Sequence, residues 1–209
     1  MNVCRGDFLS GFSLGVQSLQ IVEPTSGGVG LCESESPVYF RQLYNPSMPI
    51  ILPAHQHLDN LGIPYQKAEF SAEIEKGAAS VAHALGFPER QMIKTLIFEL
   101  DTGERILVMV GADQNIVSGN LKKAAGSRNI KMASPDAVKE ATGYVIGSIP
   151  PFGWQSEGFR TFLEASLMSE AVLGVGTGKW GHEILIAPEN LVRASRAQVV
   201  NLVSRENAG

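Results

Sequence analysis

Cysteine is nearly absent from this 209-residue chain: only Cys4 and Cys32 occur, both close to the N-terminus. Everything after residue 32 therefore has neither a disulfide framework nor a thiolate metal site, and a reducing cytoplasm is the simplest compartment. Long apolar runs are missing as well. The stretch "FLSGFSLGVQSLQIV" is interrupted by Ser, Gly and Gln, which makes it too polar for a secretory leader and too short to span a bilayer. A soluble protein with no membrane partner is expected. Nor is there an excess of positive charge. The formal net charge of −4 argues against a domain held to nucleic acid by bulk charge alone.

Charge distribution qualifies that exclusion. Between Asp113 and Asp136 there is no acidic residue, while Lys122, Lys123, Arg128 and Lys131 all fall in that window. Such a patch can neutralise a few phosphates, and an ordinary solvated helix face followed by a strand explains it equally well. Motifs for self-contained catalysis are absent too: there is no G-x-S-x-G, no H-E-x-x-H and no Cys near a His beyond residue 50. His55 and His57 have no nearby third ligand and lie in a segment that reads as helix, so no metal is expected. His83 reads as structural. "GTGKWG", residues 176 to 181, has dinucleotide spacing, but that fingerprint needs a helix after the glycines and the strand-like "HEILIA" follows instead. A glycine-rich hairpin turn is the better reading, and no cofactor is expected.

What is present suffices for one domain with an appendage, since 44% hydrophobic residues can build a core. Residues 1–52, with "PTSGGVGLCESESP", lack a sustained period and read as an extension. Their composition leaves open a disordered tail, a partner-binding segment or a misassigned start. Residues 53–209 are regular. A short helix ending at Gly62 precedes a strand in "PYQKAEF", and Ser71 is placed to cap a helix carrying Ile74, Ala78, Val81, Ala82 and Leu85 up to Gly86. "TLIFEL" and "RILVMVG" flank the hairpin signal "DTGE". A helix around "NLKKAAG", a strand "NIKMA" and a helix between Ser134 and Gly143 follow. "YVIGSIPPFGW", residues 144 to 154, is a stiff loop, because Pro150 and Pro151 remove two backbone donors. Strands "RTFLE", "AVLGVG" and "HEILIA" and a helix from Pro188 through "ENLVRASRAQVVNLV" complete an α+β fold with a mixed sheet.

One residue is out of place in this pattern. In "QMIKTLIFEL" strand alternation puts Lys94 on the same face as Leu96 and Phe98. It is either a stem packed on the core with its ammonium in water, or a cation aimed into a pocket to meet an anion or polarise a carbonyl. His182 and Glu183, on opposite faces of a later strand, offer one side chain that can point inward; equally, both can be edge polar residues.

"IKTLIF", "LKKAAG", "MASPDAVKEATGY", "GSIPPFG" and "VGTGKWGHEILIAPENL" stand in the order and spacing of the YbaK/prolyl-tRNA-synthetase-associated editing family. The chain resembles that family from about Pro53 to about Val203. The resemblance implies a mixed, partly barrel-like sheet flanked by helices, and a trans-acting, substrate-assisted deacylase that hydrolyses the ester of a small amino acid such as Cys or Ala on tRNA(Pro). The alternative is a module that holds aminoacyl-tRNA or a synthetase without hydrolysis. The implied partners are the mischarged tRNA acceptor end and an aminoacyl-tRNA synthetase. Lys94 matches the motif lysine at the family's pocket. With it, Gly147, Ser148, Gly153 and Glu183 are the implied catalytic set. Phe70, Thr95, Ile149, Pro151, Phe152, Gly176 and His182 are the implied substrate contacts, and the basic patch offers Lys122 and Lys123 as tRNA phosphate contacts. The loop departs from the usual G-G-x-S-P-F-G at Ser148 and Pro150. Glu183 falls where some relatives carry Asp, Phe70 near where some carry Tyr, and Gly176 where some carry Ser.

Overall fold

Local signals fix most of the elements. In the computed structural model, which describes residues 51–204, helix α1 (Pro53–Asn60) has proline in its first turn and ends just before Gly62 at φ +61°. Strand β1 (Gln66–Glu69) follows. The reading of residues 1–50 as an extension lies outside the described residues. Helix α2 corrects the spacing-based expectation, because it covers only Ala78–Leu85 and is not capped by Ser71. The Ser71 hydroxyl instead accepts from the Glu73 N–H at 3.3 Å, a local turn that competes with helix.

The "DTGE" hairpin joins β2 (Ile93–Leu100) to β3 (Arg105–Gly111), fully antiparallel. Then come α3 (Ser118–Ala125), β4 (Ile130–Met132) and α4 (Pro135–Thr142). Ser134 caps α4 as expected, its hydroxyl accepting from the Ala137 N–H at 3.3 Å. Strands β5 (Thr161–Glu164), β6 (Leu173–Gly176) and β7 (His182–Ile186) lead to α5 (Pro188–Ser195). The long final helix expected from sequence is a second correction. Arg196 turns the chain at φ +54°, and Gln198–Val200 forms β8 beside β5, where the β-branched Val199 and Val200 suit a pleated surface better than a helix.

The α+β expectation holds, with a mixed five-stranded sheet ordered β4-β2-β3-β5-β8 and an antiparallel three-stranded sheet ordered β1-β7-β6. These sheets are not closed into a barrel. Among the described residues an isolated bridge from Met92, just before β2, to Gly174 of β6 connects them, and β4 pairs only with the far end of β2. Alternation along β3 divides the interior: Leu107 and Met109 face one core with α1, α4, α5, β6 and β7, while Ile106, Val108 and Val110 face another closed by Leu121 and Ala125 of α3. No helix among the described residues is long and apolar enough to cross a membrane.

Glu164 ties the chain after β8 to this frame. Its carboxylate, 1% exposed, accepts from the backbone N–H groups of Ser166, Leu202 and Val203. Truncation in Glu164→Ala orphans the Leu202 and Val203 donors inside the protein, so urea unfolding should show a loss of about 3 kcal/mol, on the scale of unsatisfied buried groups. An unchanged urea midpoint would contradict this role.

Candidate active site

Half of β2 has no neighbour on one side. The Ala112 N–H bonds to the Met92 carbonyl and the Leu100 N–H to the Glu104 carbonyl, so even-numbered residues of β2 direct their main-chain groups to β3 and odd-numbered ones face away. On that far side β4 pairs only with Phe98–Leu100, and the Ala133 N–H takes the Ile97 carbonyl. The main-chain groups of Thr95 are thereby left on an open edge, just past the bridge from Met92 to Gly174. A cavity of about 210 Å³ lies along it, walled by Lys94, Thr95 and Leu96, by residues 146–149, by Gly176 and Glu183, and by the start of α2. The Thr95 hydroxyl is buried without a hydrogen-bond partner.

The opposite wall is held by backbone contact. A Cβ on Gly176 would lie 2.9 Å from the Ser148 carbonyl carbon, and the Gly178 N–H donates to the Ser148 carbonyl at 2.7 Å. The "GTGKWG" segment is thus a hairpin turn that clasps the Pro-Pro loop. Further along the loop the Trp154 indole N–H donates to the Pro150 carbonyl at 2.6 Å and Gln155 to the Pro151 carbonyl at 2.7 Å. The backbone N–H groups of Gly147 and Ile149 meet no acceptor among the described residues, while Ile146 and Gly147 form a turn that brings the Ser148 N–H to the Val145 carbonyl. Helix α2 also opens on the cavity with no side-chain cap, which adds orphan donors and the positive end of a helix dipole.

Lys94 occupies the junction of this cavity and an apolar groove of about 420 Å³ between β2 and α3, sharing the face of Leu96 and Phe98 as alternation predicts. Its ammonium donates to the Gln114 carbonyl at 2.5 Å. Gln114 is itself fixed: its side-chain oxygen accepts from the Gly111 N–H at 2.9 Å and its amide donates to Ser166 at 3.0 Å. Burial pulls the Lys94 ammonium below its usual range, against the opposing charges of Asp113 and Glu89. Glu183 is the only other titratable residue lining the cavity. It is 7% exposed and has no partner among the described residues, and burial alone pushes its carboxyl up to about 8.

Of the residues expected from sequence, the structure brings Lys94, Thr95, Gly147, Ser148, Ile149, Gly176 and Glu183 together at this cavity. Others lie elsewhere. Phe152 is in the core, stacked on His57 with centroids 5.5 Å apart, and Pro151 is buried beside it. Gly153 borders a separate cavity with His57. Phe70 packs edge-on against Trp180, and the His182 ring sits 3.6 Å from the Glu69 carboxylate, so of the β7 pair it is Glu183 that faces inward. Lys123 is exposed on α3, while Lys122 shares a surface cavity with Glu99, Asp101 and Lys131. Sequence reasoning missed Gln114, whose carbonyl carries no residue-type signal, and Ala78 and Val81, which helical spacing assigned to the core.

Residues 73–194, which contain the whole cavity lining, match the family described as aminoacyl-tRNA editing domain. The chain belongs to this family. It is 27% identical over 145 residues to EbsC of Enterococcus faecalis, named as a candidate Cys-tRNA(Pro)/Cys-tRNA(Cys) deacylase, covering 69% of this chain and 88% of that one. It is 33% identical over 99 residues to a proline–tRNA ligase of Maridesulfovibrio salexigens, covering 47% of this chain but only 17% of the ligase. A solved structure of a candidate trans-editing enzyme for prolyl-tRNA synthetase superposes with a TM-score of 0.66 at 24% identity, over 73% of this chain and 95% of that one. That likeness establishes the fold of the editing domain.

Glu183 gives the editing domain a pH signature. The folded state holds its proton to about pH 8, whereas the unfolded carboxyl ionises near its ordinary 4.5. Its contribution to stability is therefore complete below pH 4.5 and is lost as pH rises toward 8. Urea unfolding at pH 5 and pH 8 should show the wild type losing stability relative to Glu183→Gln across that window. Parallel behaviour of the two proteins would contradict a buried, unpaired carboxyl.

Proposed function

We propose that this chain hydrolyses the ester of mischarged aminoacyl-tRNA in trans, with a small amino acid such as Cys or Ala on tRNA(Pro) as substrate. One observation carries the reading: unpaired backbone donors, a fixed ammonium and a lone carboxyl converge on one small cavity within the residues that match the editing family. A volume of about 210 Å³ suits a small esterified amino acid. It leaves the larger apolar groove beyond Lys94 for the terminal adenosine.

Each group then has a task. Ester hydrolysis develops negative charge on the carbonyl oxygen, and the N–H groups of Gly147 and Ile149 are preorganised donors for it. The Lys94 ammonium, anchored by Gln114 between cavity and groove, sits where aminoacyl group and nucleotide join, and pairs with the phosphate or the developing oxyanion. Glu183 is the only acidic group lining the cavity, so it receives the substrate's ammonium, whose charge draws the carboxyl toward ionisation. Thr95 offers its unpartnered hydroxyl to the bound amino acid. No side chain is placed as a nucleophile. Attack by water, or by a hydroxyl or thiol of the substrate itself, is favoured by positioning and by charge stabilisation.

A panel of mischarged tRNAs incubated with the full chain tests this reading. Deacylation well above the buffer rate is expected for Cys or Ala esters of tRNA(Pro), and about a 100-fold loss of kcat/KM in Lys94→Ala, on the scale of removing one transition-state donor. Retention of tRNA without hydrolysis of any ester would overturn it in favour of a binding module.

A further inference from the structure

A second cavity, of about 390 Å³, opens at the other end of the Pro-Pro loop and shares no lining residue with the first. Its walls include His57, Gln155, Ser156, Arg160, Arg193 and Arg196, and no carboxylate is among them. Three arginines thus border one polar recess. Arg160 is neutralised by Glu104, which it grips at 2.6 and 2.9 Å. Arg193 has only the Asn190 side-chain oxygen at 3.4 Å, and Arg196 has no partner among the described residues.

Helix capping explains one arginine and not the other. A cation in the last turn of α5, such as Arg193, complements the helix dipole. Arg196 sits at the left-handed C-cap, φ +54°, and is the only non-glycine residue with positive φ among the described residues. The equivalent caps of α2, α3 and α4 are Gly86, Gly126 and Gly143. Glycine is unstrained there and arginine is not. The strained conformation keeps a charged, exposed side chain at the rim of the recess in place of a glycine that would end the helix more easily. His57 donates from Nε2 to the Ala194 carbonyl at 3.1 Å, which fixes its ring at the recess wall.

We propose that this recess binds a phosphate group through Arg193 and Arg196, at a site separate from the editing cavity. The planar guanidinium fork matches phosphate oxygens bidentately, and two guanidiniums with no carboxylate partner among the described residues balance a phosphate better than they balance each other. Two sources share that chemistry: a backbone phosphate of the tRNA, and a free phosphate or phosphomonoester.

The double variant Arg193→Ala/Arg196→Gly separates them in the full chain, since glycine relieves the left-handed cap and preserves the turn. Binding of uncharged tRNA is measured against salt, and inorganic phosphate is titrated while the arginine side-chain resonances are followed by NMR. If the source is tRNA, affinity should fall 5- to 20-fold, the salt slope should shrink by about 1 to 2, and deacylation kcat at saturating tRNA should hold. Arg193→Lys/Arg196→Lys, which keeps the charge, should recover part of the affinity. If the source is a free phosphate, tRNA binding is unchanged and a saturable phosphate titration of the wild type is lost in the variant. Unchanged tRNA affinity together with no saturable phosphate titration in the wild type would overturn the proposal. Because uncharged tRNA and phosphate are the probes, that failure is distinct from a failure to hydrolyse mischarged tRNA.

Discussion

The contact between Gly176 and the Ser148 backbone is the constraint on which the site depends. Only a residue without a Cβ lets two main chains approach so closely, and the Gly178 N–H then locks the Ser148 carbonyl from the same turn. The lock turns the Ser148 carbonyl toward the β6–β7 turn. The N–H groups of Gly147 and Ile149, which line the cavity, remain without acceptors among the described residues. The open edge of β2 supplies the facing wall because β4 is too short to cover it. Neither wall makes a pocket alone.

Charge balance follows from that geometry. Lys94, the uncapped start of α2 and the unpaired amides of Gly147 and Ile149 all border the cavity, and burial pushes the carboxyl of Glu183, the single acid in its lining, upward. On the proposed function, such an environment receives an ester carbonyl and a nearby phosphate, and its one acid meets the substrate's ammonium. The same loop carries Gly153 to a second, arginine-lined recess, so one stiff segment borders both places where the tRNA substrate is proposed to make charged contacts.

Much of this was legible in the sequence, for physical reasons that differ by element. Caps and turns with local chemistry, such as Ser134, Gly143 and "DTGE", were read correctly because the deciding interactions span only a few residues. Helix α2 and strand β8 were not, because a hydroxyl turn at Ser71 and tertiary pairing with β5 overrode the apolar spacing. At the site, Lys94 was visible as a cation on an apolar row, and the glycine-proline loop as a stiff bend. The loop's two ends were not separable in the sequence. Phe152 turns into the core against His57 while Gly147 to Ile149 line the cavity, and that divergence arises from tertiary contacts with α1 and the β6–β7 turn. Gln114 was invisible for a simpler reason: a main-chain carbonyl anchors Lys94.

Replacing Gly176 with alanine addresses the central constraint most directly, because the added methyl must displace the Ser148 backbone while leaving every proposed functional side chain in the sequence. Single-turnover deacylation of the responsive mischarged tRNA is expected to slow about 100-fold, the scale of losing a preorganised oxyanion donor, with cooperative unfolding retained. A wild-type rate in Gly176→Ala would contradict the account.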